Sequence, residues 1–540
     1  MQASSARHQP CAPASPLLTT ALNRHPRWRA GCGLAALSLA LLSASPVGAQ
    51  TAKLYLDSAV AAMGGIEALL ALQTQHIRAC GENFDPAQAI RPGAAAPKVS
   101  RFCYRLLRDF GGGRYRYEWQ RDTVFPVPAR SVYTEISDGY SGLILGADGL
   151  RSPHRRAASA ARIAMRKKEL GRSPVSVLLT ALSRQTSLLR LRDQLIRDRL
   201  HYVIAYDDGG TAVIIALDAQ TRLLSRVQFL EDDPLHGDSH NERFFSDWRQ
   251  VGDITMPFSS LWRVNGRLIM TERVESIENN VPLAEADFAL PASIVRADNG
   301  SPARGELSSQ WLLRRIALAD PVDEEQTRVR MIDVAPGVVH VTGGSHHSLG
   351  IAMADHVIVV EAPLYEARSL RVIDSLERRF PGKPLRTVIN THFHDDHAGG
   401  LRTYVAAGIS LVTSQTNVAF LQHVLDAPHT VRPDRLQRYP RPAVIDGVGQ
   451  DKKVLTDGRR TVEIYPVENS HAEGMLMVFL PQDKLLFVAD LFSPGAPRQV
   501  RAWSRELVAA IEAYGLEVEW LVGSQGGLAP IGEVYRAAYD

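Results

Sequence analysis

The sequence has few cysteines, no long apolar run beyond its N-terminus and no excess of one charge over most of its length. After the first 49 residues, no segment approaches the ~18 consecutive apolar residues that a membrane-spanning helix needs. The 61 Lys and Arg residues exceed the 58 Asp and Glu residues only because those first 49 residues hold four arginines and no acid. Whole-chain charge therefore gives no reason to expect a nucleic-acid or membrane partner.

The first 49 residues have the pattern of an export signal. Three arginines within residues 24–29 precede an apolar run at residues 34–42, and residues 47–49 are the small residues that a signal peptidase recognises. We therefore expect cleavage near Ala49 and a mature chain that is periplasmic or secreted. The alternative is that the apolar run stays uncleaved as an N-terminal anchor, although it is short for a membrane span.

Two cysteines, Cys80 and Cys103, follow this segment. Each lies in a stretch with the alternating apolar and polar texture of a β-strand, so the two strands are candidates for a pair. An oxidising compartment permits a disulfide between them. Two buried thiols explain the same residues equally well, and both alternatives stay open.

Residues 51–290 predict one α+β domain that is rich in strands. Residues 54–72 have a helical pattern that breaks at Gly64 and Gly65, and apolar–polar alternation recurs through most of the remaining region. A turn sequence that begins at Asp207, Asp-Asp-Gly-Gly, predicts a hairpin. The arrangement resembles the open β half-barrel of periplasmic lipoprotein carriers, although no sequence motif carries that resemblance.

Within this region, residues 151–200 have a helical pattern and a strong excess of basic residues. They contain 13 Lys or Arg residues against three acidic residues. A solvated helical face explains such a bias in most proteins. Contact with an anionic lipid or polymer is the alternative explanation for the same charges.

A change in composition separates this region from the C-terminal part. Residues 291–327 contain Pro, Gly, Ser and scattered charges, which is typical of a linker. Over residues 328–540 apolar strands alternate with amphipathic helices, for example the helix predicted at residues 365–379. This alternation predicts a layered α/β domain over residues 328–540.

The segment His-Phe-His-Asp-Asp-His, from His392 to His397, follows an apolar strand and concentrates side chains that bind metals. His392 and His394 are two residues apart in an extended segment, so both imidazoles can point to one ion. Asp396 and His397 can turn towards a second point nearby. Zinc accepts imidazole nitrogen and carboxylate oxygen as ligands, which makes this segment a candidate zinc site.

Two later residues can complete the coordination. His471 follows a strand-like segment, and Asp490 ends the apolar strand that begins at Leu486. A lone buried carboxylate at such a position costs several kcal/mol without a cation. The sequence therefore predicts that distant loops of the C-terminal part converge on a divalent metal ion.

With these residues in this order, the C-terminal part resembles the metallo-β-lactamase-fold hydrolases over about residues 328–540. The resemblance implies an αβ/βα sandwich and a zinc-dependent hydrolase. It also implies two metal sites that share one aspartate, with three histidines at the first site. The residues that match this pattern, first site first and shared aspartate last, are His392, His394, His471, Asp396, His397 and Asp490.

The chain departs from the family pattern at two positions. Gln525 stands where the family has a further histidine of the second site, and a neutral amide oxygen is a weaker zinc ligand than imidazole. Glu361 stands where many members carry an aspartate, and its longer side chain can support the ligands from behind. We therefore predict one firmly bound zinc ion and a second site that is only partly occupied.

Asp396 is also the candidate catalytic residue, because it can orient the attacking water or carry its proton. His346 and His347, in a turn expected to edge the metal cleft, are candidates for contact with a small-molecule substrate. Asn469, beside the loop of His471, is a third candidate. Solvated turn residues are the alternative for these three.

Three functions are compatible with the sequence. The first is a zinc-dependent hydrolase that acts on an ester, lactone, thioester or amide. The second is a β-lactamase proper, and the third is a metal-binding or carrier protein with reduced or no catalysis. The fold hosts many chemistries and does not choose among them. The sequence also leaves open the oligomeric state and the role of residues 51–290.

Overall fold

The computed structural model describes residues 46–295, 308–323 and 327–540. Most of the predicted export signal and the middle of the predicted linker lie outside the described residues. Within the described ranges, no helix is both long enough and apolar enough to cross a membrane.

The N-terminal region is built on one antiparallel sheet of 13 strands. Its strands are β1 (Thr74–Phe84), β2 (Lys98–Asp109), β3 (Tyr115–Thr123), β4 (Ala129–Ser137), β5 (Gly142–Gly146), β6 (Arg155–Ala157), β7 (Leu189–Ile196), β8 (Arg199–Asp208), β9 (Thr211–Asp218), β10 (Leu224–Asp233), β11 (Gly237–Val251), β12 (Ile254–Val264) and β13 (Arg267–Asn279). Consecutive strands are neighbours except β6 and β7, which form the two edges, and β1 pairs with β13 in the middle of the sheet. Strict alternation of burial along β12 shows why these sequences form strands with one face on the core.

Four helices bury apolar residues in the core of this sheet. They are α1 (Pro46–Ala62), α2 (Ile66–Leu70), α3 (Ala160–Gly171) and α4 (Pro174–Ser183), and a short α5 (Ala292–Val295) follows the sheet. The predicted break separates α1 from α2. Gly64 has a φ of +122°, and a Cβ atom there would lie 2.1 Å from the carbonyl oxygen of Asp253, so only glycine fits.

The basic window at residues 151–200 is only partly helical. It contains α3 and α4, but its last part forms strand β7 and the start of β8. Arg162 and Arg166 are fully buried, because both pair with the buried carboxylate of Glu135 on β4, at 2.9 and 3.0 Å. A solvated helical face is therefore the wrong description of these two arginines, whose partner comes from another strand.

Cys80 and Cys103 form a disulfide. The antiparallel register of β1 and β2 places the two residues directly opposite each other. Of the two alternatives that the sequence leaves open, the structure contains the disulfide.

The C-terminal region contains two mixed sheets. The seven strands of the first sheet are β14 (Arg330–Ala335), β15 (Val338–Thr342), β16 (Ser348–Ala352), β17 (Val357–Val360), β18 (Leu385–Ile389), β19 (Ser410–Ser414) and β20 (Ile445–Val448). The six strands of the second sheet are β21 (Lys453–Thr456), β22 (Thr461–Val467), β23 (Met475–Leu480), β24 (Leu485–Val488), β25 (Trp520–Gly523) and β26 (Leu528–Pro530). In both sheets the strands follow one another in chain order.

Aliphatic and aromatic side chains from both sheets share one core, in which Val360 and Ile389 of the first sheet pack with Val478 and Phe487 of the second. Helices pack on the other faces. Those on the first sheet are α7 (Glu366–Arg379), α8 (Asp395–Ala398), α9 (Leu401–Ala406), α10 (Val418–Asp426) and α11 (Arg435–Arg438), and those on the second are α12 (Arg501–Ala513) and α13 (Gly532–Tyr539). This arrangement confirms the predicted αβ/βα sandwich, preceded by a strand-rich region.

The described part of the predicted linker contains a buried helix, α6 (Ser309–Ala317), of which all nine residues are buried. The backbone N–H of Gln310 donates to Glu231 of β10 at 3.2 Å. On the other side, the indole N–H of Trp311 donates to Asp395 of α8 at 2.9 Å. This helix therefore packs between the N-terminal sheet and the C-terminal sandwich, instead of connecting them as an exposed chain.

Candidate metal centre

The ends of buried strands bring the candidate ligands together. Strand β18 leads into the loop that carries His392 and His394 and then into α8. In the second sheet, β24 ends at Val488, shortly before Asp490, and β22 ends at Val467, at the start of the loop that carries His471. The strands themselves are apolar and buried, so the polar ligands emerge only where each strand ends, which is where open α/β sheets place their sites.

His392, His394, His471 and Asp490 form a first ligand group, in which one donor atom of each residue lies within 4.8 Å of every other. The Nε2 atoms of His392 and His471 lie 3.7 and 3.0 Å from Oδ2 of Asp490. Both nitrogens, and Nδ1 of His394, are buried and make no hydrogen bond with any residue that the structure describes. Unpaired imidazole nitrogens that face a carboxylate fit a zinc site.

Neighbouring groups hold the other ring nitrogens of His392 and His394. Nδ1 of His392 lies 3.0 Å from the hydroxyl of Thr391, and Nε2 of His394 donates to the carbonyl oxygen of Ala89 at 3.0 Å. Such contacts fix the tautomer and the orientation of a metal ligand. Because Ala89 belongs to the loop after β1, the N-terminal region takes a direct part in the site.

Glu361 supports the ligand loop from behind, as the resemblance implied. It is fully buried and accepts a hydrogen bond from the backbone N–H of Thr391 at 2.8 Å. Its second oxygen binds Nδ1 of His397. The longer side chain thus contacts both the backbone and a ligand of the motif, and it leaves Nε2 of His397 to face the site.

His346, Asp396 and His397 form a second ligand group with the same spread of donor atoms. Nε2 of His346 lies 3.3 Å from Oδ2 of Asp396, and Nε2 of His397 lies 2.9 Å from Oδ1 of Asp490. Asp490 therefore faces the two groups with different oxygens. Gln525, the expected ligand, lies beside this group with its amide nitrogen 3.1 Å from both His346 Nε2 and Asp490 Oδ1.

Burial and neighbouring charges set the pKa values of these groups. Burial lowers the pKa of His392 to about 4 and that of His394 well below its ordinary value, so both rings are neutral ligands at pH 7. Burial acts to raise the pKa of Asp490, but the positive charge of His397 holds it well below the usual range. The result is an anionic, mostly buried carboxylate between two sets of imidazoles.

Asp396 also binds two residues from outside the C-terminal sandwich. Nη1 of Arg315, on α6, donates to its Oδ2 at 2.9 Å, and Nε2 of Gln88, in the loop after β1, donates to its Oδ1 at 3.2 Å. Burial acts to raise the pKa of Asp396, but the charges of Arg315 and His397 hold it well below the usual range. The candidate catalytic carboxylate is therefore anionic and held on both oxygens.

Asp395, which precedes the motif aspartate, anchors α6 to the metal centre. The indole N–H of Trp311 and Nη1 of Arg314 donate to its Oδ2 at 2.9 and 3.3 Å. Arg314 also pairs with Asp85 and Asp233 of the N-terminal region, each at 2.8 Å. All of these side chains are buried, so one polar network joins the two regions next to the ligands.

The sequence did not predict these contributions to the site. Residues 291–327 have the composition of a linker, and such a composition predicts that the charge of Arg315 is solvated. One signal was present: Trp311-Leu-Leu-Arg-Arg315 places large apolar residues beside two arginines, which is unusual for an exposed connection. Gln88 and Ala89 carry no comparable signal, because nothing in their local pattern indicates a partner in the C-terminal part.

His347 and Asn469, predicted as substrate contacts, each contact the loop that carries them. Nε2 of His347 donates to the carbonyl oxygen of Gly344 at 3.2 Å, its ring packs on His340, and burial lowers its pKa to about 3. The side-chain oxygen of Asn469 accepts the backbone N–H of His471 at 2.9 Å. Asn469 therefore shapes the loop that carries a ligand.

A cavity of about 940 Å³ opens beside the second ligand group. Its lining includes Asp396 and four exposed arginines, Arg130, Arg151, Arg328 and Arg498. Two of these arginines belong to the N-terminal region, and Arg498 donates to the carbonyl oxygen of Pro128 at 3.0 Å. Both regions therefore wall the cavity, and its exposed part is positively charged.

Comparison with known proteins identifies the class to which this site belongs. Residues 363–524 match the metallo-beta-lactamase superfamily. This segment, which carries the motif, His471 and Asp490, is a metallo-β-lactamase superfamily domain with a buried His/Asp cluster typical of the family's metal site.

One curated relative is the 2,4-dinitroanisole O-demethylase subunit alpha of Nocardioides sp. (strain JS1661). It is 28% identical over 155 residues, which are 29% of this chain and 44% of the relative. The chain thus spans less than half the length of that relative.

Solved structures similar to the chain are metallo-beta-lactamases. DIM-1 is 18% identical with a TM-score of 0.31, covering 39% of this chain and 95% of that chain. The enzyme from Pontibacter korlensis is 15% identical with a TM-score of 0.31, covering 39% and 97%. FIM-1 from Pseudomonas aeruginosa, in a mono-zinc form, is 18% identical with a TM-score of 0.30, covering 40% and 95%.

Proposed function

We propose that the protein is a zinc-dependent hydrolase. The observation that carries the proposal is the convergence of three buried imidazole nitrogens, without hydrogen-bond partners among the described residues, on the carboxylate of Asp490. Three imidazole nitrogens and a carboxylate fit zinc, which can expand from four to five ligands to accept water or substrate. Zinc in such a set supplies Lewis acidity and lowers the pKa of water to about 7.

The residues around the ligands provide the positioning that hydrolysis needs. Asp396 stays anionic because of the charges of Arg315 and His397, and Gln88 holds its other oxygen. It also lines the cavity, so we assign it the role of orienting the attacking water. The ring of Trp503 packs on His471 at a centroid distance of 4.3 Å and also lines the cavity. This apolar wall keeps the ligand in place and limits access of bulk water.

The cavity favours an ester, lactone, thioester or amide that carries a negative charge. Arg130, Arg151 and Arg498 place guanidinium groups in the exposed part of the cavity, while the reacting group would approach Asp396. Guanidinium groups recognise carboxylates and phosphates through paired hydrogen bonds. No feature of the described cavity favours a β-lactam over these acyl substrates.

A panel of chromogenic substrates tests this function. It contains neutral and anionic esters, a thioester, a lactone, a cephalosporin and 2,4-dinitroanisole, the last because of the name of the curated relative. We expect turnover of at least one acyl substrate that a chelator abolishes and zinc restores. Zinc-loaded protein that turns over none of them would favour the metal-binding or carrier protein.

A pair of histidine variants completes the test. His471→Ala removes a ligand of the first group and should lower both zinc binding and turnover. His356→Ala changes a histidine that pairs with the exposed Asp355, away from the ligands, and should leave both unchanged. Equal activity of the two variants would contradict the assignment of the first ligand group.

We also propose that the chain is exported. The disulfide between Cys80 and Cys103 supports this proposal, because disulfides persist in oxidising compartments. Cell fractionation and N-terminal sequencing of the mature protein test it. We expect a processed protein outside the cytoplasm that begins near residue 50, and an intact cytoplasmic chain would contradict the proposal.

A further inference from the structure

We propose that His346 is a ligand of a second divalent metal ion, bound together with Asp396, His397 and the shared Asp490. The inference rests on the proposed zinc site, and it assigns to His346 the place for which the sequence offers only Gln525. His346 belongs to the turn between β15 and β16, 179 residues before Gln525 in the chain. The ion expected is zinc or another first-row divalent cation that accepts both nitrogen and oxygen.

The spacing of the donor atoms fits one ion. Two ligands bound tetrahedrally to zinc at 2.0–2.2 Å lie about 3.4 Å from each other. Nε2 of His346 lies 3.3 Å from Oδ2 of Asp396, and Nε2 of His397 lies 2.9 Å from Oδ1 of Asp490. The rings of His346 and His397 are nearly perpendicular, with centroids 5.4 Å apart. The rings therefore do not stack, and a nitrogen of each can face the same ion.

The contacts of His346 are compatible with the tautomer that a ligand requires. Its Nδ1 lies 2.9 Å from the hydroxyl of Ser345, which can accept from the ring, and in that tautomer Nε2 carries the lone pair. The amide nitrogen of Gln525 lies 3.1 Å from the same Nε2, and an amide N–H that donates to it favours this tautomer. The ring is only 1% exposed, and a buried imidazole held in one tautomer loses little entropy when it binds an ion.

The backbone of the turn is also held. The N–H of His347 donates to the carbonyl oxygen of Ser524 at 2.6 Å, which ties the turn to the end of β25. The carbonyl oxygen of His346 accepts from the buried guanidinium of Arg368 at 3.4 Å. Two elements distant in sequence therefore fix where this imidazole lies.

Gln525 then has a role other than that of a ligand. Its amide nitrogen lies 3.1 Å from Oδ1 of Asp490 and the same distance from Nε2 of His346, and so it positions both. Arg315 donates a hydrogen bond to Oδ2 of Asp396, and this oxygen has a second lone pair that can bind a metal ion. Because this guanidinium is itself a cation, the second ion should bind more weakly than the first.

Metal titration of the full chain tests the proposal without any measurement of activity. Apoprotein titrated with Zn²⁺, and separately with Co²⁺ followed by its visible absorption, should bind two ions with affinities at least tenfold apart. His346→Ala and the more conservative His346→Gln should bind one ion. His347→Ala, a change at the adjacent buried histidine that faces Gly344, should still bind two.

Each other outcome overturns the assignment. A single ion in the wild-type chain removes the second site, and two ions in both His346 variants remove His346 from it. Loss of the second ion in His347→Ala as well would mean that the turn, and not this ligand, is needed. If His346→Ala does not fold, the number of ions bound by His346→Gln decides the assignment. Two bound ions without hydrolysis would contradict the proposed function and leave this inference standing.

Discussion

The guanidinium of Arg315 lies 2.9 Å from Oδ2 of Asp396, although 81 residues separate them in the chain. The arginine belongs to a helix between the two regions, and the aspartate to the motif of the metal centre. Both side chains are buried, so neither charge can be satisfied by water instead. Through this pair, the region before the C-terminal sandwich determines the state of a candidate catalytic carboxylate.

Arg315→Met should therefore damage the site and the fold together. Removal of one partner of a buried ion pair costs about 3–5 kcal/mol, because the other charge is left unpaired. We expect a lower free energy of unfolding in urea and at least a tenfold loss of chelator-sensitive turnover. Arg379→Met is the matched control, since Arg379 pairs with Asp333 on the surface, where such pairs contribute about 0–1 kcal/mol. Equal effects of the two changes would contradict the role of Arg315.

The buried carboxylate of Glu135 predicts a pH dependence of stability in the N-terminal region. Burial acts to raise its pKa, but Arg162 and Arg166 lower the pKa from the ordinary 4.5 to about 2. Because this pKa is lower in the folded than in the unfolded chain, the ionised carboxylate stabilises the fold by about 3 kcal/mol at pH values above 4.5. This stabilisation is lost as the pH falls from 4.5 towards 2. Urea unfolding at pH values between 6 and 3 measures this loss.

Glu135→Gln should remove that part of the pH dependence and destabilise the protein at pH 7, because two buried guanidiniums lose their counter-charge. Glu118→Gln is the control, since Glu118 is partly exposed beside Arg116 and should change stability by less than about 1 kcal/mol. If Glu135→Gln loses as much stability at low pH as the wild-type chain, other groups cause the pH dependence.

Metal removal should lower thermal stability. The ligand groups place two carboxylates and five imidazoles in a buried cluster, and a bound cation neutralises its carboxylates. A ligand present at 1,000 times its Kd stabilises the native state by about 4 kcal/mol. We expect a chelator to lower the melting temperature by several degrees and Zn²⁺, but not Mg²⁺, to restore it, because Mg²⁺ prefers an all-oxygen shell. An unchanged melting temperature would mean that the cluster holds no ion in solution.

The exposed arginines of the cavity predict selectivity for anionic substrates. Arg151→Gln and Arg498→Gln should each lower kcat/KM for an anionic ester by about tenfold, because each removes a charge-assisted contact of about 1.5–3 kcal/mol. The kcat/KM for a neutral ester with the same leaving group should stay nearly unchanged. Arg459→Gln, at an exposed hairpin outside the cavity lining, should change neither. A uniform loss on both esters would point to folding, and no loss would remove the proposed anion preference.

Much of the fold follows from local pattern. Apolar runs, turn residues and the helix–strand alternation predicted the sandwich over the C-terminal part, and alternation predicted a strand-rich region before it. The boundaries of the elements and the burial of charged side chains were harder to predict. The basic window at residues 151–200 contains two helices, strands β6 and β7 and the start of β8. Its buried Arg162 and Arg166 pair with Glu135, a partner on a distant strand that no local pattern indicates.

The sequence by itself determined the candidate ligands of the first group, since His392 and His394 are two residues apart and His471 and Asp490 follow strands that must be buried. Only the tertiary structure brought Gln88, Ala89 and Arg315 to the site and placed His346 among the candidate metal ligands. These contacts join residues 50 to more than 300 positions apart. They depend on how a turn, a loop and a linker helix pack, and neither the period of a helix nor that of a strand carries information over such distances.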